Sequence, residues 1–147
     1  MLTVFGTVAL DTTRTPFHTV ERTLGGTATF ASIAASYYVP TSIVGIVGND
    51  FPTSYLDILK NRLDVRGLSS SKTEKTFHYD SSFGYDLYKR TTNKTELNVI
   101  SNYQSTVPNE FVDSEYIYLA NNDPVQNLNL LDQFSHPKLV ICDTMDF

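Results

Sequence analysis

Asp11 closes the apolar run Leu2–Leu10. Toward a small molecule, an ionised aspartate can only accept hydrogen bonds, and a bond from a hydroxyl to such a charged acceptor is worth about 1.5–3 kcal/mol. The same carboxylate could instead cap the loop that begins at Thr12 and Thr13. Further on, Gly25-Gly26-Thr27 opens a stretch with helical spacing. Two glycines there allow a ligand to approach the backbone, and the free N–H groups of a helix start favour anions or hydroxyl oxygens. A plain tight turn before a helix would use the same pair. Other apolar runs also end in polar residues: Asn49 and Asp50, then Asn121, Asn122 and Asp123, and finally Asp143. A rim of Asp and Asn without basic residues suits a neutral hydroxylated ligand better than a phosphate or a nucleic acid.

Other chemistries find little support. His18, His78 and His136 have no spacing to one another or to a carboxylate that suggests a metal site, and Cys142 is the single cysteine. There is no Gly-x-Ser-x-Gly for a nucleophile, and no Lys-Ser/Thr follows Gly25-Gly26 as a phosphate-binding loop requires. The aromatics between Phe77 and Tyr88 could stack on a ligand or a partner, or simply form the hydrophobic face of a small β flap.

The elements that must position these residues follow from hydrophobic patterning. Leu2–Leu10 reads as a largely buried first strand, and Asp11–Leu24 as a loop or exposed ribbon. In the helix predicted over Thr27–Tyr38, Phe30, Ile33, Ala34, Tyr37 and Tyr38 recur at helical spacing, and Pro40 stops it. Ser42–Val47 is a short buried strand. The next helix, Phe51–Leu63, places Tyr55, Leu56, Leu59 and Leu63 on one face, and another strand follows Gly67. This β-α-β-α alternation specifies a parallel sheet flanked by helices, with ligands expected at the strands' carboxyl ends. Residues 76–100 differ, predicting antiparallel strands with a turn at Asp80–Gly84. Phe77, Tyr79, Tyr85 and Leu87 fall on one face, with His78, Asp86 and Tyr88 on the other. The parallel rhythm resumes with Tyr116–Ala120, a helix over Val125–Phe134 and the strand Leu139–Cys142. A chain that stops directly after such a strand, before any crossover helix, reads as a fragment.

Composition sets outer bounds. The 147 residues suit one domain; 41% are hydrophobic, enough for a core, and 18% are charged, too few for a disordered chain. A formal charge of −5 argues against sequence-independent binding of nucleic acid. No apolar run is long enough to cross a bilayer, and the N-terminus lacks the basic start of a signal peptide, so a cytoplasmic location is expected.

Asp11, the ribbon after it, Gly25-Gly26-Thr27-Ala28-Thr29 and Val44-Gly-Ile-Val-Gly-Asn-Asp50, in that order, resemble the ribokinase-like (PfkB) carbohydrate kinase family across essentially the whole chain. The resemblance implies a three-layer α/β/α fold with a mainly parallel sheet and a small antiparallel β lid, formed by residues 12–24 and 76–100. It implies an enzyme that transfers the γ-phosphoryl group of ATP, with Mg²⁺, to a hydroxyl of a sugar or nucleoside. By position, Asp11, Gly25, Gly26, Thr27, Asn122 and Asp143 would contact substrate. Separately, the apolar face of the flap needs a cover that the ribbon is too polar to supply in full, so a homodimer through the lid is expected. The family's G-A-G-D motif, with its catalytic base and ATP pocket, has no counterpart in these 147 residues. The resemblance therefore implies an N-terminal, substrate-binding half that holds no catalytic or metal-binding residue and is inactive alone. Phe30 stands where the family has Asn, Ala9 lacks the polar side chain of some members, and Thr53 replaces a frequent glycine. An alternative is a non-catalytic α/β module that binds a small polyol, or a protein partner through its aromatic flap. A Rossmann-type nucleotide domain is disfavoured because the dinucleotide fingerprint is missing.

Overall fold

The structure, a computed structural model, describes residues 1–144. Two sheets organise it. The larger runs β5 (Asp64–Ser70), β4 (Thr41–Val47), β1 (Leu2–Phe5), β8 (Tyr116–Leu119), β9 (Leu139–Cys142), with every neighbouring pair parallel. Successive side chains of a strand point to opposite faces, so this sheet buries two separate cores. Phe5, Val44, Ile117 and Leu119 pack on one side with Phe111 and with Leu130 of α3 (Pro124–Leu131). Val4, Ile43 and Val47 pack on the other with Ala28 of α1 (Thr27–Ala35) and Leu59 of α2 (Thr53–Lys60). The result is a parallel sheet flanked by helices, as the alternation predicts, in the three-layer α/β/α arrangement that the resemblance implies.

The smaller sheet forms the lid, in the order β3 (Thr19–Gly25), β2 (Ala9–Arg14), β6 (Phe77–Phe83), β7 (Arg90–Glu96). It corrects several expectations. Leu2–Leu10 is two strands in different sheets, interrupted at residues 6–8. It reads as one run because Val8, Ala9 and Leu10, all fully buried, sit where the two sheets meet and resume the apolar pattern after Gly6-Thr7. Asp11 consequently belongs to a lid strand rather than to the end of a strand in the parallel sheet. The supposed ribbon 11–24 is the hairpin β2–β3. The lid is not wholly antiparallel: its two hairpins join through a parallel β2/β6 pair, because they come from distant parts of the chain.

Asp80–Phe83, expected as a turn, continues β6, and the reversal falls at residues 84–89. Asp80 is tolerated in a strand because Arg14 donates to it through Nε and an NH₂ nitrogen, and the Asn93 amide donates at 2.8 Å. These bonds hold its carboxyl at about 2. Tyr85 and Leu87 therefore lie in the hairpin loop and do not share a face with Phe77 and Tyr79. With Phe17 and Tyr88 they form an exposed aromatic tip, where Phe17 and Tyr85 meet edge to face with centroids 5.8 Å apart.

Helix α1 ends at Ala35, short of the expected Tyr38; its buried residues are the small Ala28, Thr29 and Ser32, whereas Phe30 on the helix and Tyr37 and Tyr38 in the turn after it are exposed. Small side chains let the helix lie close to β1 and β4, a spacing that an aromatic stripe could not enter. Strand β9, apolar in sequence, is an exposed edge, with Leu139, Val140 and Ile141 all open to solvent. Residues 145–147, at the end of the expected fragment, lie outside the described residues.

Candidate functional site

A cleft of about 700 Å³ opens between the lid and the carboxyl ends of β1 and β8. This is where open α/β sheets hold ligands, and the volume is that of a small-molecule site. Its lid wall follows from strand register. Ala9 pairs with Phe77 and Asp11 with Tyr79, which pairs in turn with Thr95, and paired residues share a face of a sheet. All five line the cleft. Leu10, His78 and Glu96, one position away, point to the other side of the lid.

The floor is tied at one backbone oxygen. Thr7 and Thr27 both donate their hydroxyls to the carbonyl of Asn121, at 3.2 and 3.1 Å, and the Ala28 N–H donates to the Thr7 carbonyl at 3.0 Å. These bonds fix the start of α1 against the loops after β1 and β8. Asp123 caps α3 by accepting from the Val125 and Gln126 N–H groups, with Pro124 at the first helical position. That cap orients Asn122, whose amide donates to Gln126 at 3.2 Å.

Asp11 has the most unusual environment. One oxygen of its carboxylate packs on Gly25 so closely that a Cβ there would lie 2.0 Å away. Burial pushes the carboxyl above its ordinary range, and the hydrogen bond from the Gly26 N–H and the charge of His78 only partly offset it. Oδ1 is buried with no hydrogen-bond partner. A buried acceptor without a partner is costly, and such groups concentrate at functional sites. Gly26, at φ +96°, turns its N–H toward this carboxylate in a conformation that L side chains rarely adopt.

The structure thus brings Asp11, Gly26, Thr27 and Asn122 to one cleft; Gly25 is buried behind the Asp11 carboxylate and is not among the lining residues. Asp143 is not among the lining residues; it follows β9, and its N–H donates to the Leu119 carbonyl at 2.8 Å. Asp50, another strand-end carboxylate, ties the lid to β4 instead. Although burial works against it, hydrogen bonds from the Thr76 N–H and hydroxyl, both at 2.8 Å, and from Arg22 hold its carboxyl below the ordinary range. Sequence reasoning did not pick out Thr7 or Arg90 as cleft residues. Thr7 was hidden inside the apolar run. Arg90 reaches the cleft only through the β6/β7 pairing, with its guanidinium 5.6 Å from the Tyr79 ring centre.

No family model matches the sequence, and a search of curated proteins finds no match. Solved structures do match. The chain superposes on the nucleoside kinase of Methanocaldococcus jannaschii, described as an archaeal member of the ribokinase family, with a TM-score of 0.80 at 22% identity. That match covers 99% of this chain and 52% of the other. The Halothermothrix orenii fructokinase matches with a TM-score of 0.68 at 14% identity, over 97% of this chain and 56% of that one. A Cryptococcus neoformans ribokinase in complex with ADP matches with 0.63 at 16%, over 80% and 41%. The fold is that of the ribokinase-family sugar and nucleoside kinases, and the chain spans about half the length of these structures.

Proposed function

We propose that the chain is the N-terminal, substrate-binding half of an ATP-dependent kinase that phosphorylates a hydroxyl of a sugar or nucleoside in the cytoplasm. The observation that carries this reading is the buried, partnerless Oδ1 of Asp11 in a cleft beside the Gly26 N–H. A substrate hydroxyl donating to that carboxylate would satisfy it; the missing side chain of Gly25 makes room for the Asp11 carboxylate and that of Gly26 for the Thr7 carbonyl, not for the ligand itself. Thr27 and Asn122 complete the polar wall. Asp143 is proposed to face the substrate only in the whole enzyme, beyond β9.

Phosphoryl transfer depends on positioning and on charge stabilisation around the γ-phosphate. The cleft can supply the first. For the second its residues do not fit: Arg90 is the one cationic side chain on its lining, and among the described residues no group of three or more His, Cys, Asp or Glu is gathered to hold a metal. ATP and Mg²⁺ therefore belong, in this proposal, to the remainder of the enzyme. The uncovered apolar edge of β9 is a suitable surface for that remainder to dock. Calorimetric titration of the chain with sugars and nucleosides tests the reading. Saturable binding of at least one, without phosphoryl transfer from ATP by this chain alone, is expected. Failure of every compound at millimolar concentration would defeat the substrate role, and turnover by this chain would defeat its inactivity.

The lid tip supports a homodimer. Phe17, Tyr85, Leu87 and Tyr88 are between half and nine-tenths exposed, an apolar cluster that a second copy's lid would cover. Sedimentation velocity over a wide concentration range should show self-association that Tyr85→Ser with Tyr88→Ser weakens. A strict monomer throughout would rule the lid dimer out.

A further inference from the structure

We infer that the ligand of this cleft is a nucleoside rather than a free sugar, and that Phe30 reads its base. This rests on the cleft being a substrate site and adds the chemical class. Phe30 is a large apolar residue left 64% exposed, and it lines the cleft. Its N–H donates to the Gly26 carbonyl at 3.2 Å, so it stands one helical turn beyond the glycine whose own N–H faces Asp11. Four residues along a helix advance about 6 Å and return to nearly the same face. Helical side chains also lean toward the N-terminus, which tilts the Phe30 ring back over the Gly26 end.

The cleft is thereby divided chemically. One end offers the Asp11 carboxylate to hydroxyls. Roughly one turn away Phe30 offers an aromatic face, and Phe77, Tyr79, Leu97 and Ile100 extend the apolar lining. A monosaccharide carries hydroxyls on all sides and would press some of them, unpaired, against these apolar side chains. A nucleoside has hydroxyls on its ribose and a flat aromatic base at the other end, which matches both halves. Stacking of the base on Phe30 would remove exposed aromatic surface from water and add a ring–ring contact.

Isothermal titration of the chain with adenosine, uridine and D-ribose tests this, with Phe30→Ala and Phe30→Leu as variants and thermal unfolding of each as a control. Because Phe30 is exposed, both variants should fold normally. The nucleosides should bind at least about tenfold more tightly than ribose. Phe30→Ala should weaken them by roughly ten- to a hundredfold, the usual range for losing a stacked base, and leave ribose unchanged. Phe30→Leu keeps apolar bulk without the aromatic face and should lose most of the same preference. Ribose binding as tightly as the nucleosides, or nucleoside affinity that survives Phe30→Ala, would overturn the inference. In that event, ribose binding that is lost in Asp11→Ala would leave the substrate-site reading standing. If neither nucleosides nor ribose bind while another sugar does, the inference falls and the substrate-site reading stands; if no sugar or nucleoside binds, both fall.

Discussion

Gly26→Ala should destabilise the protein by about 3 kcal/mol or more, the largest loss expected from any single methyl added around the cleft. Two costs combine. At φ +96° and ψ 148° an L side chain is strained, by about 1–3 kcal/mol for such sparsely populated backbone regions. The added Cβ would also lie 2.2 Å from the Thr7 carbonyl oxygen and 2.8 Å from its carbon. Both are backbone atoms, so no side-chain rotation relieves the overlap. Thr7 in turn receives the Ala28 N–H and donates to Asn121, so displacing it loosens the start of α1 and the loop after β8 together. A domain of ordinary stability holds only about 5–15 kcal/mol in total. Urea unfolding should show a much lower midpoint for Gly26→Ala, and an unchanged midpoint would contradict this account of the turn. Gly25→Ala differs in kind, because the atoms its Cβ would meet belong to the Asp11 side chain. It should displace the carboxylate and reduce binding more than stability.

How much of this was legible in the sequence divides along the two sheets. The centre of the parallel sheet was readable because β1, β4 and β8 are largely buried and appear as apolar runs, separated by helices, with Leu59 of α2 packed beneath them. The lid was readable only as a region. Asp80 is a turn former by local chemistry, and its place in a strand depends on Arg14, 66 residues away. That tertiary ion pair overrides local preference. The break between β1 and β2 is marked only by Gly6-Thr7, and the burial of Val8 and Leu10, equal to that of Val4 and Phe5, keeps the pattern apolar across it. Asp11, Gly25 and Gly26 could be singled out from type and spacing, but their mutual contact could not: it follows from the β2/β3 register that sets Ala9 opposite Gly25. The role of Phe30 was equally invisible, since helical spacing alone does not say which face is buried.

Asp11 is where function and stability should separate. Burial raises the folded-state pKa of its carboxyl above the ordinary aspartate value near 3.9. The ionised form is therefore disfavoured by folding. The cost is fully present above the raised pKa and disappears as pH falls through it toward the unfolded value. Asp11→Asn removes the charge while keeping an oxygen to accept from the Gly26 N–H. At pH 7 it should leave the ligand-free protein as stable as wild type or more so, and any gain should vanish on acidification. Binding should move the opposite way. Exchanging a charge-assisted bond for a neutral one weakens the affinity by about tenfold, and Asp11→Ala, which leaves no acceptor, by roughly ten- to a hundredfold. Wild-type affinity should itself fall as pH drops and the carboxyl protonates.

Paired measurement on Asp11→Asn tests the central claim most directly: urea unfolding without ligand, and calorimetric titration with whichever sugar or nucleoside binds wild type most tightly. Stability equal to or above wild type together with about tenfold weaker binding is the expected result. Reduced stability with unchanged affinity would show Asp11 to be a structural cap, and would contradict the assignment of this cleft as the substrate site.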